Sequence, residues 1–191
     1  MLIDQMKPGV KILGLASLIN SGRPSFSGCY RVVYMGTTIA IEFFEKDKRQ
    51  DLTDMFNVGI IPYRTSHMAE MSLNDSEEII SGKFTGCVMS LYKRAGTLRA
   101  AHVDTNLQTT KRAVYDQMKS KGAIEVIDEY DTAGKLKVAG SVILCIANKT
   151  EIKHYVVSVG THASHKEIPV PGEKGKFTAG QAGEEIYTIL P

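Results

Sequence analysis

Alternation of apolar and polar residues at a period of two recurs along this chain and constrains its fold more than any other feature. Residues 29–44 show the pattern on both sides of Met35-Gly36-Thr37, which predicts a β-hairpin. Residues 58–63 read as a short strand limited by Pro62. Further strands are predicted over residues 84–93, 98–103, 123–130, 135–147 and 151–159. The expected order is therefore strands, one helix and then more strands.

Two segments carry helical signals. Residues 72–80 offer an N-cap at positions 74–76 and the acidic residues Glu77 and Glu78 in the first turn. Residues 104–120 carry an apolar stripe at helical spacing. Because strands and helices do not alternate regularly, we expect an α+β fold, with a mixed or antiparallel β-sandwich core flanked by helices.

Length and composition give the broad class. A chain of 191 residues, 43% apolar and 23% charged, suits one globular domain, which we expect to span residues 1–191. The net charge is +2 and no long run of Lys or Arg occurs, so we expect no nucleic-acid partner. No apolar run is long enough to span a membrane, and we expect no cleaved Sec signal peptide.

Three widely spaced cysteines, with no CxxC pair, argue against a disulfide framework and suit a reducing compartment. Cys145 lies in an almost fully apolar run, which predicts a buried and unreactive thiol. Cys29 follows Ser27-Gly28, but no histidine follows on its partner strand, so we interpret it as a core residue. Three histidines are spaced as in metal sites: His154, His162 and His165. They have few thiolate or carboxylate neighbours, and we expect neither a metal nor a cofactor.

The third cysteine, Cys87, has a different setting. It follows Gly86 at the start of a predicted strand, and His102 ends the next strand after a turn at residues 94–97. Pairing around that turn places Cys87 opposite or nearly opposite His102, although a slip of one residue would turn the side chains to opposite faces. A thiol within hydrogen-bonding reach of an imidazole can act as a thiolate nucleophile at neutral pH. The backbone at Thr85 and Gly86 can turn its N–H groups toward a developing oxyanion.

The motif Phe84-Thr85-Gly86-Cys87, with His102 one hairpin downstream, resembles that of the glutamine deamidases. This group comprises the catalytic domain of the cytotoxic necrotizing factors, the Burkholderia lethal factor and the bacterial chemoreceptor glutamine deamidases. The resemblance is confined to this hairpin and the residues just before it. It implies a glutamine-deamidase-like fold, with residues 1–191 forming a single catalytic domain.

The resemblance also implies a mechanism. The Cys87 thiolate attacks the side-chain carboxamide of a glutamine in a target protein, and backbone donors near Gly86 and Thr85 hold the oxyanion. His102 protonates the departing ammonia, and water activated by His102 then releases glutamate from the thioester. In two of the groups a threonine six residues before the cysteine holds the histidine. The equivalent residue here is Ser81, whereas the necrotizing factors use a main-chain carbonyl for this purpose.

By the same resemblance, the chain is expected to be a bacterial toxin or effector. It would be made in the bacterial cytosol and then secreted or delivered to the host cytosol. A host Rho-type GTPase or a translation factor is the implied protein substrate. Two alternatives remain open on the residues alone. One is a cysteine peptidase or transglutaminase, which uses the same thioester chemistry, and the other is a non-enzymatic binding module in which Cys87 and His102 are structural.

Overall fold

The computed structural model describes residues 2–15, 19, 25–35, 37–45, 55–64, 67–74, 76–105, 111–161, 166–169, 176–179 and 185–191. Within them the chain begins with a 3-10 helix at Leu2–Asp4 and forms one α-helix with defined bounds, α1, at Lys111–Ser120. The strands in chain order are β1 (Lys11–Leu13), β2 (Phe26–Met35), β3 (Thr38–Glu45), β4 (Met55–Ile61), β5 (Met68–Ser72), β6 (Glu78–Phe84), β7 (Val88–Arg94), β8 (Thr97–Val103), β9 (Glu125–Asp131), β10 (Ser141–Ala147), β11 (Ile152–Thr161), β12 (Lys166–Pro169), β13 (Lys176–Ala179) and β14 (Glu185–Ile189).

Eight strands close into a barrel in the order β1-β14-β11-β10-β6-β4-β2-β3. Neighbours are antiparallel except for two parallel pairs, β1 with β3 and β4 with β6. Side chains alternate between the two faces of a strand, so every second residue points into the barrel. The interior is filled by a cluster of buried apolar side chains that includes Ile12, Ile80, Leu144, Val157 and Tyr187. Burial of these side chains is the main driving force for closing the barrel.

A four-stranded antiparallel sheet, ordered β5-β8-β7-β9, packs against the outside of the barrel. The layer between them combines outward-facing barrel residues, such as Ile79 and Cys145, with Met89, Leu91 and Ala100 of the sheet. The opposite face of the sheet is covered by α1, whose Tyr115 is fully buried there. The described chain thus forms three layers: barrel, sheet and helix. The strands β12 and β13 pair separately.

The β7–β8 hairpin fixes the positions on which the functional prediction depends. Its turn is formed by Ala95 and Gly96, whose φ angles of 49° and 76° are both positive, as a two-residue type I′ turn requires. In the resulting register, Met89 lies opposite His102 and Val88 opposite Val103. Extending this register by one residue places Cys87 opposite the residue after Val103, not opposite His102.

The predicted α+β class, with a β-sandwich core flanked by helices, is wrong. Strands make up 54% and helices 11% of the structure, and the core is a barrel with an attached sheet. Residues 72–80, predicted as a helix, instead contain the end of β5 and the start of β6. Ile79 contributes to the layer beneath the sheet, whereas Ile80 points into the barrel. Burial of these adjacent residues in two different layers favours an extended strand over a one-sided helix.

Candidate active site

The backbone on both sides of Cys87 is held by hydrogen bonds. Cys87 lies in the short connection between β6 and β7, and its carbonyl oxygen accepts hydrogen bonds from Thr132 N at 3.1 Å and Thr132 Oγ1 at 2.7 Å. The preceding carbonyl, of Gly86, accepts one from Thr105 Oγ1 at 2.5 Å. Cys87 is only 6% exposed. The thiol is therefore held at the start of β7, just below the surface.

Cys87 and His102 lie on the same face of the sheet. Met89 is paired with His102, and Cys87 precedes Met89 by two residues, so all three side chains point toward the barrel. The residue directly across from Cys87 is Asp104, and the Cys87 thiol lies 3.7 Å from Asp104 Oδ1, where it donates a hydrogen bond. His102 is the diagonal neighbour of Cys87, one residue pair farther along the hairpin.

Ser81 fixes the orientation and the tautomer of His102. The Ser81 hydroxyl donates its one proton to the carbonyl oxygen of Ile61 at 2.7 Å. The Ser81 oxygen lies 2.9 Å from His102 Nδ1, so it must accept a hydrogen bond from a protonated Nδ1. His102 Nε2 is therefore the unprotonated nitrogen. It is buried and has no hydrogen-bond partner within the described residues.

Aromatic rings enclose the imidazole. The ring of Phe84 stacks on His102 with centroids 3.9 Å apart, and the ring of Tyr63 lies tilted at 5.4 Å. Phe84 reaches this position because β6 contains a β-bulge at Lys83, which has a positive φ of 58°. The extra residue turns Phe84 onto the same face as Ser81. The bulge therefore allows one strand to supply both the hydrogen-bond partner and the stacking partner of His102.

Burial keeps both reactive side chains neutral. It raises the pKa of the Cys87 thiol to about 11, and the negative charge of Asp104 acts in the same direction. Burial also lowers the pKa of His102 to about 3, although Asp104 opposes this shift. In this buried setting Cys87 is a neutral thiol and His102 a neutral imidazole near neutral pH, and both side chains face the layer between the barrel and the sheet. Because burial disfavours both charged forms, a thiolate–imidazolium pair requires polar groups to enter the layer around Cys87 and His102.

Asp104 is the site residue that the sequence reading missed. It is 2% exposed and faces Cys87, yet its position before residues 105–120 suggested the opening of a helix. The signal that could have found it is the strand period, since a residue two positions after His102 on β8 shares its face. The α-helix itself is described only from Lys111, and residues 106–110 lie outside the described residues.

The remaining candidates differ in their distance from Cys87 and His102. Thr85 is exposed and Gly86 is half-buried, so the backbone around both borders the site, and their role at an oxyanion stays a prediction. Cys145 is fully buried in the layer between barrel and sheet, and burial strongly raises its pKa. The ring of His154 stacks on Tyr130 at 3.8 Å. Three side chains lie outside the described residues: Cys29, His162 and His165.

Neither a protein-family model nor a curated protein matches this chain. In the described part of the chain, no three or more His, Cys, Asp or Glu side chains are grouped so that they could hold a metal ion. None of the helices in that part is both long and apolar enough to cross a membrane.

Proposed function

We propose that this chain is a protein-glutamine deamidase, a cysteine-dependent hydrolase that converts a glutamine of a target protein to glutamate. One observation carries the proposal. Cys87 and His102 share a face on neighbouring strands, and Ser81 holds His102 Nδ1 at 2.9 Å, so that Nε2 is left as a proton acceptor. A nucleophile, a base and a group that orients the base are the three parts that acyl transfer to sulfur needs.

In the proposed reaction His102 Nε2 accepts and releases a proton twice, first the thiol proton of Cys87 and then a proton from water. The thiol proton of Cys87 passes to His102 Nε2 while the sulfur electron pair forms a bond to the carboxamide carbon and the carbonyl oxygen becomes negative. As the tetrahedral intermediate collapses, the C–N bond breaks and the departing amide nitrogen takes the proton from Nε2, leaving as ammonia. Water then gives a proton to Nε2 and attacks the thioester. The sulfur leaves and recovers its proton, so the net reaction is glutamine plus water to glutamate plus ammonia.

The burial of the site supports a side-chain carboxamide as substrate in preference to a backbone amide. Cleavage of a peptide bond requires a groove that admits chain on both sides of the reacting carbon. Cys87 and His102 are 6% and 2% exposed, so a thin side chain with its carboxamide at the tip suits the site better. The resemblance to toxins that deamidate host proteins extends the proposal to a host Rho-type GTPase or a translation factor as target and to delivery into the host cytosol.

Tyr63 is an exposed neighbour of the buried His102 ring. This ring contacts His102 and is 36% exposed, so it lies between the imidazole and the surface. The residue after Tyr63, Arg64, lines a surface cavity of about 290 Å³ together with Ser25, His67, Met68, Ala69 and Glu70. Ala69 pairs with His102 across β5 and β8, so one strand separates the cavity from the imidazole. Docking of the target at this cavity, with displacement of Tyr63, would admit a glutamine side chain and raise the local polarity.

The test is ammonia release from casein and from lysate proteins, with mass spectrometry to locate each glutamine converted to glutamate. Wild-type protein should release ammonia, and Cys87→Ser and His102→Asn should each lower the rate by ~100-fold or more. Cys145→Ala controls for the removal of a buried thiol from the same layer, and it should still release ammonia because Cys145 has no part in the proposed reaction. Full ammonia release by Cys87→Ser or by His102→Asn would reject the proposal.

A second candidate is a non-enzymatic binding module, which is favoured by the neutral state of the buried thiol and imidazole. It predicts that no glutamine is converted and that Cys87→Ser leaves partner binding unchanged. The same experiment also separates the other thiol enzymes by their products. A peptidase would cut the backbone, and a transglutaminase would add an amine to the glutamine.

A further inference from the structure

Cys87 contacts a buried acceptor on the sheet face that it shares with His102. Its thiol donates to Asp104 Oδ1 at 3.7 Å, and both residues are buried. The His102 side chain shares this sheet face, and its buried Nε2 has no hydrogen-bond partner within the described residues. In this state the thiol proton is therefore held by a carboxylate that the deamidation mechanism does not require.

We propose that Asp104 is a positioning residue that withholds the Cys87 thiol from reaction, and that catalysis begins when the thiol turns from Asp104 to His102 Nε2. The second half of this inference rests on the proposed function, whereas the first half concerns the thiol alone. One rotation about the Cα–Cβ bond of Cys87 redirects the sulfur from the residue opposite to the diagonal neighbour. The acceptor that we assign to the turned thiol is the buried, unpartnered Nε2 of His102.

A carboxylate in this position suppresses thiolate formation for a direct physical reason. Loss of the thiol proton would place two negative charges, on sulfur and on Oδ1, less than 4 Å apart in a buried layer. The Thr105 backbone N–H acts in the opposite direction, because it donates to the sulfur and favours the thiolate. The titratable groups of the elements around Cys87 are Asp104 and His102 on or next to β8, Tyr130 and Asp131 on β9, and Cys145 on β10.

The first test measures the alkylation of Cys87 by iodoacetamide as a function of pH, with peptide mapping to follow Cys87 separately from the other cysteines. Asp104→Asn keeps the shape of the side chain and removes its charge. The variant should be alkylated faster than wild type between pH 7 and pH 9, by about threefold for each unit by which the pKa falls, because a larger thiolate fraction is partly offset by weaker nucleophilicity. Asp116→Asn, an identical change on the exposed face of α1, should leave the profile unchanged. Equal profiles for Asp104→Asn and wild type would overturn the inference.

A second measurement uses the native protein and does not depend on the folding of an Asp104 variant. The Raman S–H stretching band of Cys87, isolated as the difference between wild type and Cys87→Ala, should lie at a lower frequency than the band of Cys145, because a hydrogen bond to a carboxylate weakens the S–H bond. A Cys87 band at the frequency of an unbonded thiol would overturn the inference. Failure of this inference is distinguishable from failure of the proposed function, since neither the alkylation nor the Raman measurement requires ammonia release. Ammonia release with unchanged alkylation and an unbonded S–H band would reject the role of Asp104 alone.

Discussion

The Ser81 hydroxyl joins two buried groups, and this makes its removal measurable. It donates to the Ile61 carbonyl and accepts from His102 Nδ1, so Ser81→Ala leaves an unpaired acceptor and an unpaired donor. We expect the variant to lose about 1–3 kcal/mol in free energy of unfolding, measured by urea denaturation. Ser76→Ala is the matched control, because the Ser76 hydroxyl is buried and has no hydrogen-bond partner within the described residues.

The control variant Ser76→Ala should change the free energy of unfolding by less than about 0.5 kcal/mol, since it breaks no hydrogen bond. Comparable losses in the two variants would mean that the hydrogen bonds of Ser81 add no stability beyond that of an ordinary buried serine. A loss confined to Ser81→Ala would support the orientation of His102 on which the proposed mechanism depends.

The buried imidazole also makes stability depend on pH. The pKa of His102 is lowered from 6.5 in a model peptide to about 3 in the folded protein. The unfolded chain therefore binds a proton below about pH 6.5 that the folded protein does not bind, so stability falls as the pH falls through this range. His102 should account for a loss of about 2 kcal/mol between pH 7 and pH 5.

The measurement is urea denaturation at both pH values for wild type and for His102→Gln, which cannot titrate. The loss attributed to His102 should be absent from His102→Gln. His154→Gln is the comparison, because burial also lowers the pKa of His154 but the residue is exposed, so its substitution should give a smaller difference. Identical pH dependence in wild type and His102→Gln would contradict the buried, neutral state of His102.

The sequence alone could predict some residues of the site and not others. Cys87 and His102 followed from a hairpin pattern, because strand alternation relates residues on two paired strands. The contact between Ser81 and His102 joins β6 of the barrel to β8 of the sheet, and only a family motif pointed to it. Asp104 shares a strand face with His102, but an aspartate followed by polar residues also fits a helix N-cap, which concealed it.

At the scale of elements, local pattern predicted the hairpins and the later strands, but it missed β5, β6 and β14 and predicted one helix wrongly. The hairpin predicted over residues 29–44 corresponds to β2 and β3, and the strands predicted near residues 123–159 correspond to β9, β10 and β11. The segment 72–80 carried acidic residues typical of a helix start. Glu78 is instead fully buried, and its carboxylate accepts the backbone N–H groups of Leu2 and Ile3 at 3.0 and 3.1 Å. A partner so distant in sequence leaves no local signal.

The β-bulge in β6 gives a prediction at this scale. Lys83 adopts a φ of 58°, a left-handed conformation that costs a non-glycine residue free energy. Its side chain forms an ion pair with Glu185 at 2.6 Å. Lys83→Ala and Lys83→Gly both remove the ion pair, so they differ chiefly in their tolerance of the positive φ. Lys83→Gly should be the more stable of the two by about 1 kcal/mol in thermal or urea unfolding.

The opposite order, with Lys83→Ala the more stable variant, would show that β6 straightens when the lysine is lost. In that case Phe84 would turn away from His102, because a strand without the extra residue reverses the face of every later side chain. The stacking of Phe84 on His102 therefore provides a second readout, for which the chemical shifts of the His102 ring protons are suited.

For the whole molecule, the barrel was beyond prediction because its closure joins the two ends of the chain. Lys11 of β1 pairs with Thr188 of β14 on one side and with Thr38 of β3 on the other. A three-residue strand such as β1 has too short a pattern to indicate either neighbour. Closure therefore depends on long-range pairing and on the shared core, and neither is encoded in a local window.

Gly14 tests this closure directly. It follows β1 with a φ of 81°, and a Cβ atom there would lie 2.1 Å from the carbonyl oxygen of Ile41 in β3. A side chain is thus excluded by backbone, which cannot move aside without opening the β1–β3 pair. Gly14→Ala should lower the free energy of unfolding by about 3 kcal/mol or more in urea denaturation. It should also speed hydrogen exchange along β1 and β14.

Gly9→Ala is the matched control for the barrel. Gly9 has nearly the same φ, 84°, but nothing lies within 4 Å of the position its Cβ would take. Its substitution should cost about 1 kcal/mol, the conformational part alone. The excess loss in Gly14→Ala then measures the close approach of β1 to β3. Equal losses in the two variants, with unchanged hydrogen exchange in β1, would mean that the barrel tolerates an opening at this seam and that the core holds the remaining strands together without it.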